Sequence, residues 1–186
     1  MANEIRYNIR CMQEIEVLVP LKGNLNKSIK KLEDQFNSFY FELIHDIYYK
    51  VKPRTSLRLR SIDDILDQLT YKQDIYKGKE WIYSDEYETE VDFIGMKKIL
   101  DKLFDVYVEL RIKRYYIDTD NYKIVIDQVK GLGNFLEVER KKKARDIDKA
   151  KQEIRDFIKT LDLDLGQELN KGKPELMVES NLTGDK

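Results

Sequence analysis

The sequence predicts an α+β fold: an eight-stranded antiparallel β-barrel that forms a tunnel with a polar, charged interior, and helices packed on its outside. Two observations lead to this prediction. Most of the chain divides into short segments that alternate between apolar and polar residues, as β-strands do, while three segments carry apolar residues at helical spacing. Like charges also recur at positions i and i+2, so each strand presents one ionic and one mostly apolar face.

The first half of the chain supplies five strands and one helix. In "QEIEVLVP", Glu14 and Glu16 point to one side of a strand, and the apolar residues between and after them point to the other. Residues 26–39 carry apolar side chains at helical spacing and predict a helix. The remaining strands are expected over residues 40–51, 56–60, 65–73 and 80–92, with the turn "IYKGKE" between the last two.

The second half adds three strands and two helices. Strands are predicted over residues 106–117, 122–129 and 134–140, and helices over residues 94–104 and 144–163. The stretch "DTDN" between the first two of these strands is a strong turn signal, which makes them a hairpin. Beyond Gly166 the pattern fades, and no further element is predicted.

The chain is expected to contain one domain. Its 186 residues suit a single core of ordinary size, and no linker marks an internal boundary. We expect the tunnel domain over residues 12–179, an N-terminal extension over residues 1–11 and a flexible tail over residues 180–186.

Composition excludes several classes of function. The formal net charge is −1, whereas general nucleic-acid binders are usually basic. Cys11 and His45 are the only residues of their kinds, which excludes a disulfide framework, a cysteine zinc site and most histidine metal sites. No apolar run approaches the ~20 residues of a membrane span, and the N-terminus lacks the pattern of a secretory signal. We therefore expect a cytoplasmic protein, monomeric or homodimeric.

Five pairs of like charges carry the functional prediction. They are Glu14 and Glu16, Arg58 and Arg60, Glu88 and Glu90, Arg111 and Lys113, and Glu137 and Glu139. Like charges on one strand face repel each other and require a compensating ion. Planar guanidinium groups suit phosphate oxygens, while carboxylates without histidine or cysteine suit a hard cation such as Mg²⁺ or Mn²⁺.

Both requirements are met if the sheet curls and its ionic face lines a tunnel. A bound triphosphate would contact the basic residues, and its divalent cations would bridge the anion to the acidic residues. About eight strands can close a barrel around such a ligand. The alternative is a sheet whose ionic face meets solvent, a common arrangement in which these charges bind nothing.

Six motifs, in order along the chain, resemble those of the CYTH domain family, the triphosphate tunnel metalloenzymes. The motifs are "EIEVL", "LRLR", "LTYK", "YETEV", "RIKRYY" and "IVIDQVKGLGNFLEVE". One E-x-E pair is a weak signal, but the ordered set is specific. The family includes class IV adenylate cyclases, thiamine triphosphatases and inorganic triphosphatases, so the resemblance implies a tunnel that acts on a triphosphate.

The resemblance also implies roles for individual residues. The implied metal ligands are Glu14, Glu16, Asp127, Glu137 and Glu139. The implied phosphate-binding residues are Arg58, Arg60, Lys72, Arg111 and Lys113. Our predicted catalytic set is Glu88, Glu90 and Lys113, in which Glu88 or Glu90 orients the attacking water.

The sequence departs from the family pattern in the first, fourth and fifth motifs. Leu18 stands where the family has a lysine, which removes one basic contact to the triphosphate. Glu86 stands where an arginine is usual, and lysine and arginine are exchanged at Arg111 and Lys113. The candidates to replace the lost lysine are Lys22, Lys50 and Lys52. These departures weaken the case for a cyclase more than the case for a tunnel that binds metal and triphosphate.

The expected function is divalent-metal-dependent hydrolysis of a triphosphate, either inorganic tripolyphosphate or a nucleoside or other organic triphosphate. Hydrolysis needs only a grip on the phosphates, whereas a class IV-type adenylate cyclase also needs a nucleoside pocket, which the sequence does not reveal. The cyclase is the first alternative. The second is a non-catalytic polyphosphate- or nucleotide-binding module, which Leu18 favours. Neither a nucleic-acid nor a membrane partner is expected.

Overall fold

The computed structural model describes residues 10–36 and 38–184 as a β-barrel with helices on its outside. The strands among these residues are β1 (Arg10–Glu14), β2 (Glu16–Pro20), β3 (Tyr40–Tyr49), β4 (Thr55–Ile62), β5 (Leu66–Lys77), β6 (Glu80–Glu90), β7 (Val106–Asp118), β8 (Tyr122–Val129) and β9 (Gly133–Arg140). The helices are α1 (Leu25–Phe36), α2 (Phe93–Leu103), α3 (Ile147–Thr160) and α4 (Lys173–Gly184). The predicted α+β class is confirmed, and every predicted element is present with ends shifted by a few residues.

One antiparallel sheet forms the barrel wall, in the strand order β1-β6-β5-β4-β3-β7-β8-β9-β2. β1 pairs with β6 at one edge, and β2 pairs with β9 at the other. These two strands are halves of one extended run that is interrupted only at Ile15. The first segment therefore joins both edges and nearly closes the barrel, which has the predicted eight strands when β1 and β2 are taken as one.

Apolar residues on the outer face of the wall are covered by α1, α2 and α3. The largest cluster joins Leu32 of α1 and Ile154 of α3, both fully buried, to residues of β2, β7, β8 and β9. Leu100 of α2 packs against Ile47 and Leu59 in a second cluster. Burial of each such side chain contributes about 1.5–3 kcal/mol. The helices thus stabilise the curvature that turns the ionic strand faces inward.

The C-terminal helix α4 is the one helix that the sequence did not predict. Its Met177 joins Leu18, Val108 and Leu110 in a buried cluster at one end of the barrel. The apolar residues of α4 form no continuous stripe, so periodicity gives no signal, and only the barrel end supplies a surface for them.

The structure differs from the expected chain ends. The expected tail over residues 180–186 is helical as far as Gly184, and the last two residues lie outside the described part of the chain. At the other end, Arg10 and Cys11 belong to β1, while the rest of the expected N-terminal extension lies outside the described residues. The domain bounds stay predictions.

The inner surface of the barrel has an apolar zone beside α4 and an ionic zone beyond it. β7 passes through both, because its inward residues are apolar from Val108 to Ile112 and polar from Arg114 to Tyr116. The apolar zone thus lies between the barrel end that α4 covers and most of the charged side chains.

Every helix in the described part of the chain is too short or too polar to span a bilayer.

Candidate functional site

The ionic zone of the barrel surrounds a cavity of about 650 Å³. The predicted site residues that line it are Glu14, Glu16, Arg58, Arg60, Lys72, Glu88, Glu137 and Glu139. Other charged lining residues, which sequence reasoning did not assign to the site, include Asp46, Glu86, Arg114, Lys123 and Lys173. Acids and bases therefore converge on one hollow, as the i, i+2 charge pattern predicts.

Arg60 is held in the wall by a bidentate ion pair. Its Nε and Nη2 donate to the two carboxylate oxygens of Asp46 at 2.7 Å each, and both residues are buried. Burial acts to raise the pKa of the Asp46 carboxyl, but Arg60 prevails and lowers it to about 2. Asp46 therefore stays ionised at neutral pH and fixes the orientation of the guanidinium group.

Arg58 has an unsatisfied donor inside the cavity wall. Its Nη2 donates to the Thr70 hydroxyl at 2.9 Å and lies 3.8 Å from a Glu88 carboxylate oxygen. Its Nε is buried and has no hydrogen-bond partner in the described part of the chain. A buried donor without an acceptor is costly, so this nitrogen marks a position where an acceptor from a ligand would be stabilising.

Lys72 compensates two acids on neighbouring strands. Its Nζ donates to Glu14 and lies 3.3 Å from a Glu86 oxygen. Glu86, which stands where the family has an arginine, is thus a partner of Lys72. Burial acts to lower the pKa of the Lys72 ammonium group, but Glu14 and the neighbouring carboxylates raise it well above its usual value.

The first residue of α4 inserts a second lysine into the tunnel. Lys173 Nζ donates to Glu137 and lies 2.7 Å from Asp127 Oδ2. Arg114 donates to both Asp127 oxygens at 2.7 Å. Burial acts to raise the pKa of the Glu137 carboxyl, but Lys173 and then Arg114 lower it well below its usual range. The ionic zone therefore carries an ionised network at the point where α4 begins.

The position of Lys173 bears on the lysine that the first motif lacks. Leu18 lies at the inner wall of the barrel, where it packs in the same apolar cluster as Met177 of α4. Helix α4 therefore uses Leu18 as a packing surface and brings its own ammonium group to the neighbouring carboxylates. None of the three proposed replacements lines the cavity, neither Lys22 nor Lys50 nor Lys52.

Glu16 is a buried carboxylate without a partner. It makes no hydrogen bond or ion pair to any residue that the structure describes, although it is only 7% exposed. Burial raises the pKa of its carboxyl well above the usual value, and the nearby carboxylates of Glu137 and Glu14 raise it further. Glu139 is affected in the same direction, first by burial. A divalent cation would relieve this crowding of negative charge, so the donor set fits a hard metal.

The carboxylates are not already arranged as a metal site. Within residues 10–36 and 38–184, no three acidic, histidine or cysteine side chains are close enough together to hold an ion. Lysines explain the spacing, because Lys72 and Lys173 draw Glu14 and Glu137 toward themselves. Metal binding at these residues would require the ammonium groups to move.

Arg111 and Lys113 do not line the tunnel, contrary to the prediction. The even-numbered residues of β7 face inward, so Arg114 occupies the inward position, and the predicted pair lines a separate cavity on the outside. The prediction failed because Ile112, the apolar residue between them, faces the apolar zone inside the barrel. Tyr116, on the same side as Arg114, is the signal that could have identified the inward face.

Two other predicted residues lie apart from the cavity surface. Asp127 is fully buried behind Arg114 and Lys173, and both its oxygens accept hydrogen bonds or ion pairs from them. Glu90 is exposed at the end of β6 and does not line the cavity. Glu88, two residues earlier, does line it and accepts a hydrogen bond from Gln68 at 3.1 Å.

Two tyrosines flank the cavity at the end away from α4. Tyr40 begins β3 and lies opposite Tyr116, near the end of β7. Their rings stack with centroids 4.7 Å apart and planes inclined by 15°, and Tyr40 is half exposed. Glu42, the next inward residue of β3, forms no ion pair with the described residues, and Lys123 Nζ lies 5.6 Å from the centre of the Tyr116 ring. This mouth combines an aromatic surface with charges of both signs.

The fold and the cavity together define a β-tunnel protein with an ionic interior. The model of the CYTH domain family matches residues 12–172, and the chain belongs to this family. The predicted resemblance is therefore confirmed over most of the chain. A search of curated proteins gave no match.

Solved structures share the fold. The chain is 25% identical to the PH1012 protein from Pyrococcus horikoshii OT3, with a TM-score of 0.76 over 88% of this chain and 98% of that one. It is 26% identical to the PH1819 protein of the same organism, with a TM-score of 0.73 over 89% and 98%. A candidate adenylate cyclase from Vibrio parahaemolyticus is 14% identical, with a TM-score of 0.68 over 89% and 97%, a similarity of fold alone.

Proposed function

We propose that the protein hydrolyses a triphosphate inside the tunnel, with Mg²⁺ or Mn²⁺ as cofactor. The observation that carries this proposal is the buried Nε of Arg58, which has no acceptor among the described residues and lies in the wall of a cavity rich in cations. A phosphate oxygen is the acceptor that suits a guanidinium group best. Membership of the CYTH family supports the same substrate class.

The tunnel cations divide into two groups in this proposal. Arg60 and Arg114 each use Nε and Nη2 on an aspartate, which orients the group and keeps the Nη1 donors for a ligand. The second group is Arg58, Lys72 and Lys173, each of which donates through one nitrogen and has no bidentate pair. These side chains would turn toward the phosphates as the ligand enters. The cations would bind the triphosphate and stabilise the charge that develops on its oxygens.

The residues that would hold the divalent cation are the inward glutamates of the first and last strands. Glu16 has no partner of its own, and Glu14, Glu137 and Glu139 lie beside it in the same cavity. When bound, Mg²⁺ or Mn²⁺ neutralises phosphate charge and polarises the phosphorus–oxygen bonds. Asp127 would act by positioning Arg114 and Lys173.

Glu88 is the proposed residue for orienting the attacking water. It lies in the cavity wall beside Thr70 and Arg58, and Gln68 donates to its other oxygen. Water attacks the terminal phosphorus, the bond to the leaving diphosphate oxygen breaks, and Glu88 accepts a proton from the water. Glu90 is assigned no direct role, because it does not line the cavity.

The stacked tyrosines at the mouth favour an organic triphosphate, and they keep the cyclase alternative open. The half-exposed ring of Tyr40 offers a surface on which a planar base can stack. The Glu42 carboxylate could accept a hydrogen bond from an amino group on that base. A cyclase would use the same mouth to hold adenosine while the ribose 3′-hydroxyl attacks the α-phosphorus.

The deciding experiment separates the products. The protein is incubated with tripolyphosphate or ATP in Mg²⁺ or Mn²⁺, and phosphate, pyrophosphate and cyclic AMP are resolved. We expect phosphate release. Arg58→Met should lose roughly 10–100-fold in kcat/KM, since it removes a charge-assisted contact. The exposed control Lys98→Met should show no change in kcat/KM. We expect Tyr40→Ala to impair turnover of ATP and to spare tripolyphosphate.

Two results would contradict the proposal. Cyclic AMP and pyrophosphate without free phosphate would identify a cyclase. Tight binding of both compounds without turnover, across a broad range of pH and metals, would identify a non-catalytic binding module.

A further inference from the structure

We propose a second anion-binding site on the outside of the barrel, which takes inorganic phosphate or a short polyphosphate. It lies in a cavity of about 930 Å³ between β3, β7 and the turn that joins β8 to β9. The barrel wall separates it from the tunnel, because its basic residues are on the opposite face of β7 from Arg114. The site does not depend on the activity proposed above.

Three cations are adjacent on one wall of this outer cavity. Arg111 and Lys113 are on the same face of β7, and Lys130 lies across from Arg111, whose carbonyl accepts the Lys130 backbone N–H at 2.9 Å. On its other side Arg111 is paired with His45 of β3. Like charges on neighbouring strands destabilise a sheet unless a counter-ion compensates them.

The counter-ion is not supplied by the described residues. None of their carboxylates lies within 4.0 Å of the charged nitrogens of Arg111, Lys113 or Lys130. The basic residues that line the tunnel from β4, β5 and β7 are all in ion pairs, so the outer cluster is unlike them. The carboxylate nearest to His45, that of Glu109, lies 3.1 Å from its Nε2. Arg111 and Lys130 are exposed, so an anion from solution can reach the cluster and compensate it.

Lys113 contacts aromatic rings in place of a carboxylate. Its Nζ lies 4.3 Å from the centre of the Phe41 ring and 5.1 Å from that of Tyr115. Such cation–π contacts hold the ammonium group in place without supplying a counter-ion. The group is therefore preorganised for a ligand.

The rest of the cavity limits what the ligand can be. Ser61, Gln128 and Asn134 bring hydroxyl and amide donors, which suit phosphate oxygens. Asp63 and Asp64 lie on the other side, and the Asp63 carboxylate is fixed by the backbone N–H of Leu43 at 2.8 Å. These carboxylates would repel a long polyanion that crosses the cavity, so we infer a compact ligand that contacts the cationic wall alone.

The test follows backbone amide resonances of ¹⁵N-labelled protein during titration with phosphate, pyrophosphate and tripolyphosphate. Gly131 and Gly133 border the outer cavity, and the amides of Glu14 and Glu137 report on the tunnel. We expect the glycine resonances to shift in a saturable manner. In Arg111→Gln/Lys130→Gln the affinity should fall by at least about tenfold, since two charge-assisted contacts are lost.

The control variant is Lys142→Gln/Lys143→Gln, which removes two exposed charges elsewhere, and it should titrate as the unmodified protein does. Tunnel resonances that stay in place in the double variant show that it is folded, and the single variant Lys130→Gln, at an exposed turn, provides a second comparison. The proposal is wrong if the glycine resonances do not move below about 10 mM ligand, an affinity too weak for a specific site. It is also wrong if they move equally in the double variant.

Discussion

Two arginine–aspartate pairs have the same geometry on four consecutive strands of the tunnel wall, in the order β4-β3-β7-β8. Arg60 with Asp46 and Arg114 with Asp127 are each bidentate, and the aspartates are fully buried. Each aspartate fixes the orientation of a guanidinium group that lines the cavity. Because charge is buried in both, the pairs are expected to contribute more to order than to net stability.

The Asp46 carboxyl makes the stability of the protein depend on pH. Its pKa is about 2 in the folded state, where Arg60 outweighs the effect of burial, and near 3.9 when unfolded. A lowered folded pKa stabilises the fold above the unfolded value, and this contribution is lost as the pH falls toward 2. We expect Asp46→Asn to lower the free energy of unfolding by about 3–5 kcal/mol at pH 7, because Arg60 loses its partner.

The difference between Asp46→Asn and the unmodified protein should narrow by about 2 kcal/mol between pH 5 and pH 2. Urea unfolding at pH 7, 5, 3 and 2 measures it, and Asp34→Asn, at an exposed position of α1, is the control. A difference that stays constant with pH would show that Asp46 is not held ionised by Arg60.

Residue-scale prediction from sequence succeeded where strand parity was unambiguous. Arg58 and Glu14 lie beside apolar residues that face outward, so their inward direction follows from alternation. It failed at Arg111, because β7 has apolar residues on its inward side near α4 and the two faces cannot be told apart by hydrophobicity. The residues of β7 that point inward can be identified only when the covered end of the barrel is known.

At the scale of elements, α4 links the barrel end to the site. Its apolar residues cover the inner residues of β7 and β2, and its first residue, Lys173, reaches Glu137 and Asp127. Sequence could not reveal this link, since α4 lacks an amphipathic stripe and its contacts are distant in the chain. Leu18 signals a lost lysine, but the lysine that reaches Glu137 lies about 150 residues later in the chain.

The role of Lys173 can be tested by removing its charge. In Lys173→Met, Asp127 and Glu137 lose a buried cation, so we expect about 3 kcal/mol of destabilisation in the absence of divalent metal. Mn²⁺ should recover part of this loss, because Glu137 becomes available as a ligand. Thermal unfolding with and without Mn²⁺ is the measurement.

Lys159→Met is the matched control for this experiment, since Lys159 pairs with Asp156 on the surface of α3. It should change the unfolding temperature little, with or without Mn²⁺. If Lys173→Met behaves as the control does, α4 contributes packing alone.

At the scale of the whole molecule, the barrel was predictable because one pattern specifies both wall and interior. Alternation at i and i+2 defines strands, and the same alternation separates ionic from apolar faces, so curvature follows once α1, α2 and α3 bury the apolar one. What alternation cannot specify is the pairing between inward charges. Lys72 with Glu14 and Glu86 depends on strand register, which the sequence pattern leaves open.

The interior ion pairs predict how ligands act on the whole molecule. Lys72 and Lys173 compensate the tunnel carboxylates, so we expect an entering triphosphate to draw these cations away and leave the carboxylates unpaired. A divalent cation that arrives with the triphosphate would restore the charge balance of the carboxylates.

We therefore expect tripolyphosphate and Mg²⁺ together to raise the unfolding temperature by more than the sum of their separate effects. At a ligand concentration of 100 Kd the gain is about 2.7 kcal/mol, or roughly 5–10 °C for a chain of this size. Differential scanning calorimetry measures it, and Arg58→Met should remove most of the shift. Tripolyphosphate that stabilises equally well with a chelator present would show that the tunnel binds the anion without metal.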